Sequence, residues 1–307
     1  MGTLIAMRYR TTMFAKLADH TYVKCGTGAR AWSCWGGKTG GTELRRGVGS
    51  TKRADAIAEQ NERAGITCYL VNGVCHQAAN RVLLPARITV RGAIGYDVSE
   101  ALFGTYGRPR GAFGLCKAPF DQHEDIAGDL DECVDAAPSP KTGKTPQARA
   151  SAAARLDARR ENTYLEGVWA VYRKVGTSAK GPRTALADRD LEGFHDELFR
   201  WKIEYSLGAK TAKSTVRTLA NIRRSAERSR LTIEEWFLNG DMTVREFVEA
   251  FNSETVVFQH AAAGALNPAD YKSLFGLRRG DAVVLADPKI VERAFAGFGP
   301  GRKGIPR

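Results

Sequence analysis

The sequence predicts an α+β chain in two parts: a strand-bearing N-terminal domain over residues 1–135 and a mainly α-helical C-terminal domain over residues 151–307. Three observations carry this. The N-terminal part interleaves glycines and aromatics with short β-like runs, whereas long amphipathic segments follow at 150–175, 185–207 and 210–230. Between them, "VDAAPSPKTGKTPQARA" is rich in proline, small residues and lysine, and reads as a linker over residues 136–150.

The elements follow in order. "TYVKCGTGARAWSCWGG" reads as a hairpin around Gly26-Thr27-Gly28. "GTELRRGVGS" reads as a loop. "TKRADAIAEQNERAG" has helical spacing through Ala54, Ile57, Ala58 and Ala64, with Gly65 where a helix stops. "ITCYLV" is a short buried strand, Asn72-Gly73 a turn, and "VCHQAANRVLL" a helix ending before Pro85. "RITVRGA" is a further strand, and "DVSEALFG" a helix with Asp97 as N-cap and Glu100 three residues on. In the second half Thr243 and Glu246 form a capping box, and Asn267 before Pro268 opens another helix. The chain carries no internal repeat.

Composition narrows the function classes. With 43% hydrophobic and 26% charged residues the chain has a soluble globular make-up. No stretch approaches the roughly 20 apolar residues of a membrane span. The N-terminus lacks the apolar core and cleavage site of a secretory signal. The expected location is therefore cytoplasmic, or outside the cell by a route that reads no cleavable signal. Six cysteines (25, 34, 68, 75, 116, 133) show no paired spacing, which argues against a disulfide framework and against the common zinc patterns. No metal or cofactor is implied, a composite site of Cys25, Cys34, His20 and Cys75 being a minor alternative. Of the net charge of +12, most lies late: 17 basic and 14 acidic residues precede position 138, and 29 and 20 follow. That excess favours an anionic polymer or protein partner for the helical half.

One stretch carries chemistry. "YLVNGVCHQAAN" places Cys75 after a strand and turn, at the start of a helix. Unpaired N–H groups and the helix dipole there stabilise a thiolate, lower its pKa and can hold an oxyanion. Gly73 lets the backbone turn tightly beside the sulfur. His76 adjoins Cys75 but points about 100° away around the helix, which suits a flanking or substrate-contact role better than that of a base. His20, in "ADHTYV" on the first hairpin strand, is the base candidate. His123 sits in an acidic loop, and His195 and His260 read as surface or core residues of the helical half.

The order of His on an early hairpin ("DHTYV") and then Cys at a helix start ("NGVCHQAAN") resembles the circularly permuted papain-like cysteine peptidases and amidases. These include the NlpC-type cell-wall hydrolases and the lecithin:retinol-acyltransferase-like group. The resemblance covers residues 10–135. It implies a permuted papain-like N-terminal domain in which Cys75 attacks an amide or ester carbonyl and His20 is the general base. The substrate would be a protein or peptidoglycan peptide, with no cofactor. The family orients its histidine with a third polar residue, which stays unassigned. A turn centred on Thr27 sets Cys34 opposite His20, while Asp19 points to the other strand face. Asn80 lies about 140° around the helix from Cys75. Asp97 could reach only through tertiary contact.

The remaining motifs are weaker. "GGKTGGT" and "PSPKTGKT" lack the first glycine of a phosphate loop and read as flexible loops. Trp32 and Trp35 offer an apolar wall for substrate, or ordinary core aromatics. "TAKSTVRTLANIRRSAERSR" is a basic helix whose Val216, Leu219 and Ile222 supply an apolar stripe, so a solvated bundle face is the simpler reading. A thiol hydrolase is thus expected, and by analogy an effector toxin from a bacterium. The rival expectation is an adaptor whose basic half contacts nucleic acid or another anionic polymer, with Cys75 structural.

Overall fold

A computed structural model of the chain describes residues 1–10, 17–26, 31–32, 37–108, 156–171 and 188–296. The expected linker over 136–150, Cys34, Trp35, Cys116, His123 and Cys133 lie outside these residues. Strands β1 (Gly2–Tyr9), β2 (His20–Cys25), β3 (Ala31–Trp32) and β4 (Thr42–Gly49) form one antiparallel sheet in the order β3-β2-β1-β4. Helices α1 (Thr51–Ala64), α2 (Cys75–Leu83) and α3 (Tyr96–Phe103) follow. Then come α4 (156–171), α5 (Asp188–Leu207), α6 (Lys213–Asn239), α7 (Val244–Ala265), α8 (Pro268–Phe275) and α9 (Pro288–Ala294). The chain is α+β, with helices alone from α4 onward among the described residues.

Local signals account for much of this. The hairpin forms with Val23 opposite Trp32. Ser50 caps α1 by accepting the Arg53 N–H, and Gly65 ends it. The Thr243–Glu246 capping box opens α7, and Asn267 caps α8 ahead of Pro268.

Four local readings are corrected. "GTELRRGVGS" is not a loop but contains the edge strand β4. Its glycines mark close backbone approach rather than a turn: a Cβ on Gly49 would lie 2.5 Å from the Pro85 carbonyl oxygen. "ITCYLV" is no strand. Residues Gly65–Thr67 form a 3₁₀ turn, and Leu70 turns the chain with φ 102° and donates its N–H to Gly73 at 2.5 Å. Its apolar side chains are buried without any ladder, which periodicity alone cannot distinguish from a core strand. "RITVRGA" begins with Arg87 in the left-handed region and makes only an isolated bridge between Arg91 and Ala93. Finally, α3 is capped by Gly95 at φ 83°, so Asp97 lies inside the first turn rather than at the cap.

Burial links the two halves. One apolar cluster contains Leu70, Val74, Cys75 and Phe103 together with Phe199, Phe237, Phe251 and Phe295. A second, with Leu4, Val23, Ile57, Val82 and Tyr96, lies between the sheet and helices α1 to α3. The connection between α8 and α9 runs back to the sheet: Val284 bridges Leu17, and its carbonyl accepts the Ala18 N–H at 2.9 Å.

Candidate active site

Cys75 is the first residue of α2, after Val74 in extended conformation. Val74 offers no side-chain cap, so Gln77 reaches back and accepts the Val74 N–H at 3.1 Å. Gly73 is required here for space: a Cβ would meet the Gln77 Cβ at 2.7 Å. The turn is therefore tight against the helix it opens.

The sulfur sits among donors. The N–H groups of Thr21, His76 and Cys75 face it, while the thiol donates to the Asp19 carbonyl at 3.8 Å. Burial pushes the thiol pKa up, and those donors only partly pull it back. This corrects the expectation of a lowered value. A helix terminus favours the thiolate, but here desolvation outweighs it. At rest Cys75 is a neutral thiol.

His20 opens β2, opposite Tyr9 of β1, with the two rings 4.8 Å apart. Burial pushes the imidazole pKa down to about 4, against a raising hydrogen bond with the Gly37 backbone. The ring is therefore neutral at pH 7, the state a proton acceptor needs. His20 and Cys75 line one narrow cleft of about 50 Å³ with Tyr9, Tyr69, Asp287 and Ile290.

His76 is enclosed completely, at 0% exposure. Its Nε2 lies 3.0 Å from the Asp19 carbonyl and its Nδ1 2.8 Å from the Ser99 hydroxyl. A carbonyl only accepts, so the proton is on Nε2 and Nδ1 accepts from Ser99. Burial brings its pKa down to about 4. The ring fastens the mouth of α2 to the residue before His20. Asp19 is held further, its carboxylate accepting from Arg8 at 3.2 Å and from the Ile94 N–H at 2.9 Å.

The other sequence candidates lie elsewhere. Asp97 pairs with Lys202 of α5 at 2.6 Å. Asn80 is spent on Tyr96, Thr105 and Val90. The cleft residues that sequence reasoning missed include Tyr9, Tyr69, Asp287 and Ile290. "DPKIVERA" does announce a helix, since Asp287 caps α9 ahead of Pro288. Nothing local says that this cap returns to the cleft of Cys75. Among the described residues, no group of three or more His, Cys, Asp or Glu side chains is arranged to hold a metal.

The basic segment in α6 is partly internal. Arg223 is buried and bonds Asp196 at 2.7 Å and Glu227 at 2.5 Å. Arg230 is buried over the Phe103 ring at 4.4 Å. Lys213, Arg217 and Arg228 remain exposed. No helix among the described residues is long and apolar enough to cross a membrane. Comparison with protein-family models, with curated proteins and with solved structures found no match.

Proposed function

We propose that the chain is a thiol-dependent amidase or peptidase of the permuted papain-like type, with Cys75 as nucleophile and His20 as general base. The observation that carries this reading is their shared cleft, with Cys75 at the first position of a helix and His20 at the start of a strand.

Because both groups are neutral at rest, proton transfer accompanies attack rather than preceding it. His20 takes the Cys75 proton as the sulfur bonds the amide carbon. The oxyanion meets the N–H groups of Cys75 and His76 at the helix mouth. His20 then protonates the leaving nitrogen, and the C–N bond breaks to leave a thioester. Water, losing its proton to His20, attacks the thioester, releases the acid and restores the thiol. His76 acts by position, holding Asp19 and hence the start of β2.

The substrate class we favour is a peptide amide, in a protein or in peptidoglycan. Incubation with both polymers, followed by mass identification of products, tests this. Wild type should release defined fragments, and Cys75→Ala and His20→Ala should not. Products unchanged in Cys75→Ala would remove the assignment.

A further inference from the structure

Asp287 reaches the cleft from the far end of the chain. Its Oδ1 accepts the N–H groups of Lys289 and Ile290 at 2.8 and 3.4 Å, capping α9. Its Oδ2 is buried and has no hydrogen-bond partner among the described residues, although the side chain is only 4% exposed. A buried carboxylate oxygen left unpaired is costly, and a cation or strong donor is what offsets that cost.

The position of Asp287 is held firmly. Asn252 of α7 donates to the Ala286 carbonyl at 2.6 Å and accepts the Leu285 N–H at 3.1 Å. Gln259, one turn-pair further along α7, exchanges two bonds with Val283 at 2.8 and 3.0 Å. Tyr9 and Tyr69 line the same cleft and offer aromatic surface to a positive group. The free space of about 50 Å³ suits a compact ammonium head better than a planar guanidinium.

We propose that Asp287 receives a primary ammonium group in the Cys75 cleft, so that preferred substrates carry such a cation close to the carbonyl under attack. The ammonium site rests on the geometry of Asp287, and its assignment to a substrate rests on the hydrolase reading above. The helical half thereby supplies a specificity residue to a site whose nucleophile lies in the first half.

Ligand-observed NMR with n-butylammonium, and with n-butanol as neutral counterpart, tests the site without turnover. Wild type and Cys75→Ser should bind the ammonium alike and prefer it to the alcohol. Asp287→Asn keeps the α9 cap and should bind it roughly tenfold more weakly, about the effect of one shielded charge pair. Should that variant fold poorly, Asp287→Ser retains a capping hydroxyl without the carboxyl group. Equal binding by wild type and the Asp287 variants, or none at tens of millimolar, overturns the proposal. Ammonium binding by a chain that cleaves no amide would keep the site and overturn its assignment to a substrate.

Discussion

His76 Nε2 donates to the carbonyl oxygen of Asp19 at 3.0 Å, the same oxygen that accepts from the Cys75 thiol. One backbone carbonyl thus holds the first two residues of α2 against the residue preceding His20. Replacing His76 by Ala leaves that oxygen with only the weak thiol contact and takes the ring away from Ser99, whose hydroxyl keeps the Tyr96 carbonyl as acceptor at 2.8 Å. Urea unfolding should show a loss of about 2–4 kcal/mol. A His76→Ala protein of wild-type stability would mean that the ring ties nothing down.

Acid should destabilise the fold before the carboxylates titrate. His20 and His76 are held near a pKa of about 4, below the ordinary 6.5, because burial disfavours their charged forms. Between those values the unfolded chain binds protons that the folded chain refuses, so stability falls as pH drops from 6.5 toward 4. Each histidine contributes on the order of 3 kcal/mol across that window. Urea midpoints at pH 7 and pH 5 check this, and identical midpoints would contradict it.

The thiol should label slowly at neutral pH. Burial raises the Cys75 pKa from its ordinary value near 9, despite the surrounding N–H groups. Iodoacetamide labelling of Cys75, followed by peptide mapping, should therefore keep accelerating above pH 9. A plateau already reached below pH 7 would reveal a resting thiolate–imidazolium pair instead.

Gly49→Ala should loosen β4. The added Cβ would meet the Pro85 carbonyl oxygen at 2.5 Å and the Ala86 nitrogen at 2.7 Å, both backbone atoms that cannot rotate away. A cost of about 1–3 kcal/mol is expected from such overpacking. Faster hydrogen exchange along Thr42–Gly49, more than in β2, would locate the damage, and unchanged exchange would rule it out.

Arg108 joins the first half to α6, bonding Glu234 at 2.9 Å with both groups nearly unexposed. Arg108→Met removes the closest cation from the buried Glu234 carboxylate, leaving Arg230 at 3.9 Å, and should cost about 3–5 kcal/mol. Adding Glu234→Gln should restore part of that loss in urea unfolding. No recovery in the double variant would show that the pair is not the coupling between these segments.

Much of the fold was legible because its signals are local. The α1 stop at Gly65, the Thr243 box, the Asn267 cap and the hairpin before Trp32 each depend on residues a few positions apart. Strand β4 was not, because Gly47 and Gly49 look like turn residues until the backbone at Pro85 and Ala86 lies against them. "ITCYLV" misled for the opposite reason: it is as apolar as a core strand, but Leu70 bends it out of any ladder.

The candidate site divides in the same way. Cys75 at a helix start and His20 at a strand start could be read from neighbouring residues, since turn, cap and periodicity are short-range. The amino-acid order set His76 aside because adjacent helical side chains diverge, yet its ring and the Cys75 thiol meet on the Asp19 carbonyl. Their common cleft, the burial that keeps both groups neutral, and the arrival of Asp287 some two hundred residues later needed the packed chain. Desolvation and long-range contact depend on every element that covers a group, and no window of sequence contains them.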